Sequence, residues 1–117
     1  MKLGIVGYRD YHDYENFSYI VDDYINGVGH PSVIVSGGAK GIDTLAERYA
    51  KDNGINMIVY EAQWDLYGSK AGPMRNEYIV DTSTHILALP KKGKSVGTYD
   101  TLRKARAKGL HVTEVEI

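Results

Sequence analysis

Five short apolar runs alternate with helix-patterned segments along this chain of 117 residues. The runs are rich in Ile, Val and Leu and predict buried strands at residues 3–7, 33–36, 57–60, 85–89 and 112–117. The spacing of the remaining apolar side chains predicts helices at residues 17–25, 43–53, 74–80 and 98–108. Parallel strands need helical crossovers and cover on both faces. The alternation therefore predicts an α/β fold: a single-domain, Rossmann-like three-layer sandwich with a five-stranded, mainly parallel sheet over residues 1–117.

The composition fits one soluble globular domain and excludes several classes of protein. Apolar residues make up 43% of the chain and charged residues 25%, which is ordinary for such a domain. Lys and Arg total 14 against 15 Asp and Glu, so the basic excess typical of non-specific duplex binders is absent. The chain has no cysteine and no apolar run of membrane-spanning length. We therefore expect a cytoplasmic protein without membrane contact, metal or cofactor, for which nucleic acid is a less favoured partner.

Four loops carry unusual residues at the predicted carboxyl ends of the strands. Ligands of open α/β sheets bind outside these ends, near the point where the strand order reverses. The loops span residues 7–10, 36–43, 64–76 and 90–98, whereas the connections at the opposite end are plain turns. This asymmetry predicts a binding site formed by the four loops.

The segment 36–43, Ser-Gly-Gly-Ala-Lys-Gly-Ile-Asp, joins a predicted strand to a predicted helix. Glycines let a ligand approach the backbone closely, and the first N–H groups of a helix have no internal partner. The helix dipole also favours negative charge at this end. The segment therefore predicts a phosphate site, although a tight turn that binds nothing demands similar residues.

Three motifs in this order resemble the SLOG superfamily, which includes DprA, the Lonely Guy phosphoribohydrolases and the small YspA/YpsA-like proteins. They are the glycine turn at 36–43, Ala-Gly-Pro-Met-Arg-Asn at 71–76 and Ser-Val-Gly-Thr at 95–98. The YspA-like group is the most similar, because the chain also carries its Trp-x-x-Tyr-Gly motif at 64–68. The resemblance implies a Rossmann-like fold that binds a nucleotide or a nucleotide-derived ligand, often as a homodimer or higher homo-oligomer.

The resemblance also implies roles for individual residues. Phosphate turns would lie at 37–41 and at 97–98, before two different helices. Arg75 would pair with a phosphate, and Asn76 would either hydrogen-bond a sugar hydroxyl or position Arg75. The candidate ligand-binding residues are Gly7, Tyr8, Arg9, Ser36, Gly37, Gly38, Ala39, Lys40, Gly41, Asp43, Arg75, Asn76, Pro90, Lys94, Ser95, Gly97 and Thr98.

The motif before the last helix departs from that of the Lonely Guy hydrolases. Those enzymes carry Gly-Thr-x-x-Glu, whose glutamate works with an arginine to cleave an N-glycosidic bond, but Thr101 occupies the glutamate position here. A threonine cannot replace that carboxylate. Asp100 is the nearest carboxylate, but it is rotated by about 100° around the helix and is expected to point elsewhere. The catalytic candidates are therefore Arg75 and Asp100, and the hydrolase reaction is in doubt.

Several of these residues have a structural interpretation beside the functional one. Asp43 lies in a first helical turn, where a carboxylate favours the helix dipole whether or not a ligand binds. Lys94 belongs to a basic loop that either steers an anion or is simply solvated. Trp64 and Tyr67 either stack on a base or cover the core or a subunit interface. For Arg9, beside a strand end, a functional role is slightly favoured.

Three functions are compatible with these residues. The favoured one is a module that binds an ADP-ribose-like molecule or a nucleoside phosphate, as a sensor or a sequestering protein. The second is a hydrolase of nucleotide N-glycosidic bonds. The third is a DprA-like binder of single-stranded nucleic acid, which would need a continuous basic groove.

Overall fold

The structure, a computed structural model, describes residues 1–117 and contains one sheet in which every strand pairing is parallel. Across the sheet the strand order is β3-β2-β1-β4-β5. The predicted α/β fold with a five-stranded parallel sheet is confirmed. The strands are β1 (Lys2–Gly7), β2 (Val33–Ser36), β3 (Asn56–Val59), β4 (His85–Leu89) and β5 (His111–Glu114).

Five helices connect the strands, and a single 3₁₀ turn (Gly68–Lys70) joins the third helix to the fourth. None of the helices combines the length and the apolar character that crossing a membrane requires. The helices are α1 (Tyr14–Val28), α2 (Ile42–Asp52), α3 (Trp64–Tyr67), α4 (Ala71–Thr82) and α5 (Val96–Ala107).

The alternation of side chains along β1 explains why helices cover both faces of the sheet. Leu3 and Ile5 are fully buried in one core, whereas Val6 belongs to the core on the opposite face. The first core is completed by α1 and α2, which bury Phe17 and Ile42 completely. The second core is completed by α4 and α5. The result is a helix–sheet–helix sandwich.

Some predicted boundaries differ from the structure. The sequence predicts a polar connection over 61–72, but this segment contains α3 and the 3₁₀ turn, and α4 begins at Ala71 instead of residue 74. Pro73 does not interrupt α4 because the N–H groups of a first helical turn have no intrahelical acceptor. The last strand ends at Glu114 instead of residue 117, although the Val115 N–H still donates to the Ala88 carbonyl at 2.8 Å.

The strand order reverses between β1 and β4, because the chain builds the sheet outward from β1 in one direction and then in the other. A crevice is expected outside the carboxyl ends of the two strands at such a switch point. Here it is bordered by the loop after β1 and by the loop that leads from β4 into α5.

Candidate functional site

A cleft of about 480 Å³ lies at the switch point, and we call it the switch-point cleft. This volume lies within the range of small-molecule sites. The cleft is formed by the loop after β1, the first turn of α2, helix α4 and the N-terminus of α5. The predicted ligand residues that line it are Gly7, Tyr8, Arg9, Ala39, Asp43, Arg75, Asn76, Lys94, Ser95, Gly97 and Thr98.

The remaining predicted ligand residues lie outside the lining: Ser36, Gly37, Gly38, Lys40, Gly41 and Pro90. Gly38 and Gly41 have φ angles of 69° and 71°, a region that favours glycine. A Cβ on Gly38 would lie 2.9 Å from Glu61 Cγ and 3.0 Å from Val59 Cγ1. A Cβ on Gly41 would collide with the backbone of Arg9. The space beside these glycines is therefore filled by the protein itself, where the sequence predicted room for a ligand.

Asp43 accepts a hydrogen bond from an N–H group of the glycine turn, where the sequence predicts that a phosphate binds. Its Oδ2 accepts a hydrogen bond from the Ala39 N–H at 3.1 Å. The residue is only 6% exposed. Burial raises the pKa of Asp43 to about 6, against the opposing effects of the Ala39 hydrogen bond and the positive charge of Arg75. The turn thus already contains a carboxylate, which favours the structural interpretation of this residue.

Arg75 is fixed by two hydrogen bonds, one to the glycine turn and one to Asn76. Its Nη1 donates to the Gly37 carbonyl at 2.6 Å, and its Nε donates to Asn76 Oδ1 at 2.9 Å. Nη2 makes no hydrogen bond to the protein, so one side of the guanidinium is available to an anion. Burial lowers the pKa of Arg75, as does the charge of Arg9, whereas Asp43 opposes the shift. Arg9 and Arg75 thus both bring positive charge to the lining of the cleft.

Asn76 positions Arg75 and connects it to α5. Besides accepting from Arg75, its Nδ2 donates to the Gly97 carbonyl at 3.2 Å and to Asp100 Oδ2 at 3.1 Å. Asn76 is 5% exposed, and both ends of its amide are occupied by the protein. Of the two predicted roles, this geometry favours positioning of Arg75 over contact with a sugar.

Asp100 lines the cleft, so the prediction that it points elsewhere is wrong. The angular argument considered the direction of the Cβ alone, whereas Lys104 and Asn76 hold the carboxylate at 2.8 and 3.1 Å. Burial alone would raise the pKa of Asp100, but hydrogen bonds from Lys104, Asn76 and Arg103 outweigh it and hold the pKa below its usual value. Asp100 is therefore an ionised and fully engaged acceptor. Thr101 is buried beside it and donates to the Gly97 carbonyl at 3.2 Å.

The N-terminus of α5 opens into the cleft without a side-chain cap. Ser95 occupies the capping position, but its Oγ accepts instead from the backbone N–H of Lys91 at 2.9 Å. Gly97 is exposed, and the position of a Cβ on it has no protein atom within 4 Å. The first N–H groups of a helix lack internal acceptors and carry the positive end of its dipole. This end of α5 can therefore receive an anion at close range.

The charged groups of the lining favour an anionic ligand. Arg9, Arg75 and Lys94 face two carboxylates, Asp43 and Asp100. Both carboxylates already accept hydrogen bonds from the protein, and Asp100 is paired with two cations of α5. The cleft therefore presents an excess of positive charge to a ligand.

The cleft is also lined by Trp64, for which the sequence left two roles open, and by three residues absent from the predicted site: Gly72, Pro73 and Val96. Trp64 is 55% exposed and its ring lies over Gly72, where a Cβ would be 3.0 Å from Cη2. This part of the lining could have been predicted from the Trp-x-x-Tyr-Gly motif, because that motif puts an aromatic residue shortly before the Ala-Gly-Pro-Met-Arg-Asn segment in the sequence. The pairing of Trp64 with Gly72 itself depends on the fold of α3 onto α4.

Several other aromatic and histidine side chains lie away from this cleft. Tyr14 stacks on Phe17 with ring centroids 6.3 Å apart and contacts the guanidinium of Arg48, so it packs α1 against α2. His85 and His111 are register partners on β4 and β5, with ring centroids 4.9 Å apart. These histidines lie at the amino ends of their strands, opposite the cleft.

Comparison with known proteins shows the family of this chain. A sequence model of the YspA, cpYpsA-related SLOG family matches residues 1–67. The chain is 31% identical over 116 residues to the Gene 61 protein of Mycobacterium phage D29, and the match covers 95% of this chain and 93% of that protein.

A solved structure supports the fold. DNA processing protein A (DprA) from Streptococcus pneumoniae superposes with a TM-score of 0.75 at 24% sequence identity. The match covers 97% of this chain and 49% of the DprA chain, so the protein spans about half the length of that relative. The chain belongs to the YspA, cpYpsA-related SLOG family.

Proposed function

We propose that this protein binds a nucleoside phosphate or a related nucleotide-derived ligand in the switch-point cleft, as a sensor or sequestering module. The observation that carries the proposal is the uncapped N-terminus of α5, where Gly97 faces open space inside the cleft. A phosphate seated there would accept from backbone N–H groups of α5 and gain from the helix dipole. The free Nη2 of Arg75 would add a charge-assisted hydrogen bond.

The phosphate is assigned to α5 and not to the glycine turn before α2. Asp43 accepts from Ala39 within that turn, and its negative charge would repel a second anion. The Ile42 N–H is also engaged, because it donates to the Tyr8 carbonyl at 3.2 Å. The glycine turn therefore acts as a support for the cleft, and its partner Arg75 faces the phosphate.

The aromatic residues of the lining complete the recognition of a nucleotide. Tyr8 and Trp64 border the cleft, and the exposed indole offers a flat surface on which a base can stack. Base–aromatic stacking contributes about 1–3 kcal/mol and accepts every base. The cleft thus supplies a phosphate site and a ring site without a contact that selects one base.

Substitution of Gly97 tests the proposal directly. Gly97→Val should leave the fold intact, because nothing in the protein occupies the space of the new side chain. It should weaken binding of ADP at least tenfold, because the branched side chain would separate the phosphate from the N–H groups of α5. Isothermal titration calorimetry measures the affinity, and thermal unfolding measures the stability.

The matched control is Gly27→Val. Gly27 also lies in a helix, is exposed and has no protein atom within 4 Å of the position that a Cβ would take, but it belongs to α1, away from the cleft. This variant should bind ADP as the unsubstituted protein does. Equal affinities for ADP in a folded Gly97→Val variant and in the control would contradict the placement of the phosphate at α5.

A second candidate function is hydrolysis of a nucleotide N-glycosidic bond, which is favoured by the presence of both Arg75 and Asp100 in the lining. An ionised Asp100 could stabilise an oxocarbenium-like centre, but it has no proton to give to a leaving base. Its hydrogen bonds to Lys104 and Asn76 further reduce its availability. Release of free base from AMP that is lost in Asp100→Asn would establish this alternative.

A further inference from the structure

We propose that the ligand is a dinucleotide: two nucleosides joined by an anionic linker, with the second ring in a separate cleft on the far side of Arg75. This inference rests on the proposed nucleotide function and adds the class of ligand. The second cleft also has a volume of about 480 Å³ and lies beyond the carboxyl end of β3, between α3 and α4. We call it the tyrosine cleft, and its principal residues are Tyr60, Glu61, Tyr67, Met74, Arg75 and Tyr78.

The tyrosine cleft is built to hold a flat ring. Tyr60 and Tyr78 have ring centroids 5.8 Å apart and an interplanar angle of 33°. The Tyr60 hydroxyl is hydrogen-bonded to Thr82 Oγ1 at 2.7 Å, which fixes the inner ring. Tyr67 and Tyr78 remain 45% and 52% exposed, so both side chains are partly accessible from solvent. Partly exposed tyrosines around one cavity are typical stacking surfaces for aromatic ligands.

Helix α3 and Arg75 connect the two clefts. α3 carries Trp64 at one end, where it lines the switch-point cleft, and Tyr67 at the other, where it lines the tyrosine cleft. Arg75 borders both clefts, and its guanidinium is held by Gly37 and Asn76. One fixed positive charge between two ring sites matches a ligand that has a negative linker between two rings.

Glu61 distinguishes a dinucleotide from a longer nucleic acid. Apart from Arg75, it is the one charged residue that lines the tyrosine cleft. A carboxylate repels a further phosphate but accepts hydrogen bonds from the hydroxyls of a ribose. A nucleoside that ends in this cleft therefore fits its charge, whereas a chain that continues through it with more phosphates does not.

Calorimetry with two defined probes tests the proposal. AMP has one adenosine and can fill only the switch-point cleft. Diadenosine diphosphate has two adenosines joined through a pyrophosphate and can fill both clefts. We expect diadenosine diphosphate to bind at least tenfold more tightly than AMP. Tyr78→Ala and, separately, Tyr67→Ala should remove roughly tenfold of the diadenosine diphosphate affinity, consistent with the loss of one base–aromatic stack. Both variants should bind AMP within twofold of the unsubstituted protein.

Tyr19→Ala is the control, because Tyr19 is 72% exposed on α1, outside both clefts. It should change neither affinity. Equal affinities of the two probes, or equal losses for both probes in the tyrosine variants, would overturn the dinucleotide inference while leaving the nucleotide function intact. Affinity that rises steadily for oligodeoxyadenylates of two, six and twelve nucleotides would overturn it in favour of a nucleic acid. Absence of binding by AMP and by every dinucleotide would overturn both proposals.

Discussion

Asp43 is the residue whose surroundings differ most from what its position suggests. A carboxylate in a first helical turn is ordinarily exposed and stabilised by the helix dipole. Here α2 begins under the loop after β1, so the side chain is buried and faces the cleft. The hydrogen bond that it accepts from the Ala39 N–H at 3.1 Å does not compensate for the loss of water, and the pKa rises to about 6.

The raised pKa of Asp43 predicts a pH dependence of stability with a definite sign. The folded protein retains the proton up to about pH 6, whereas the unfolded chain releases it near the ordinary aspartate pKa of 3.8. Between these values the folded state binds more protons, so the free energy of unfolding falls as the pH rises. Asp43→Asn should abolish this fall and be more stable than the unsubstituted protein at pH 8 by roughly 2–3 kcal/mol.

Urea unfolding at a series of pH values between 4 and 8 measures the effect. Asp10→Asn is the control, because Asp10 is an exposed aspartate outside the lining, next in the chain to the lining residue Arg9. The control should unfold with the same pH dependence as the unsubstituted protein. Parallel curves for the Asp43 and Asp10 variants would show that burial of Asp43 has no energetic consequence.

At the scale of elements, the glycine turn is best understood as a packing device between β2 and α2. Gly38 adopts a φ of 69°, and atoms of Val59, the last residue of β3, and of Glu61 in the following loop fill the space beside it. Gly54, after α2, has a similar φ of 65°, but a Cβ added there would have no protein atom within 4 Å. Substitutions at Gly38 and Gly54 therefore share the energetic cost of the backbone conformation, and only those at Gly38 add a cost of crowding.

Gly38→Ala should destabilise the protein more than Gly54→Ala does. Both variants force a residue with a Cβ into a left-handed conformation, at a cost of roughly 1–2 kcal/mol. Only Gly38→Ala adds a contact with Val59 that the end of β3 must accommodate, which should cost about 1 kcal/mol more. Chemical denaturation gives the two free energies of unfolding. Equal losses would mean that the turn is not packed against β3 as the structure shows.

The strands and the site-bearing loops could be predicted because their signals are local. Apolar runs mark the strands, and glycine-rich turns at their carboxyl ends mark the edge where a ligand can bind. The contact of Arg75 with the glycine turn could not be predicted, because Arg75 lies 38 residues along the chain from Gly37, to whose carbonyl it donates. The hydrogen bond from Asn76 to Asp100 joins residues 24 positions apart and could not be predicted for the same reason. The start of α4 was misplaced because Gly72 and Pro73 are poor helix formers whose position in a first turn becomes evident only in three dimensions.

For the whole molecule, the balance of charge bears on the choice between a small ligand and a nucleic acid. The chain has 14 basic and 15 acidic residues, and the solved structure that it resembles in fold is that of a DNA processing protein. Binding of a single strand would engage many phosphates along a basic groove and would weaken steeply with salt. The expected homo-oligomeric state and the cytoplasmic location remain predictions.

Charge reversal at two lysines distinguishes the two kinds of ligand. Lys94 lines the switch-point cleft, whereas Lys40 is exposed outside its lining. If the ligand is a nucleotide, Lys94→Glu should weaken binding of ADP at least fivefold. Lys40→Glu should leave it within twofold, because the Lys40 side chain is exposed and makes no part of the lining. The affinity for ADP should then fall only shallowly with salt, because a mononucleotide has few charges and no condensed counterions to release. A single-stranded oligonucleotide that both variants weaken equally, with a slope of log affinity against log salt steeper than about −4, would instead establish an extended nucleic-acid surface that includes both lysines.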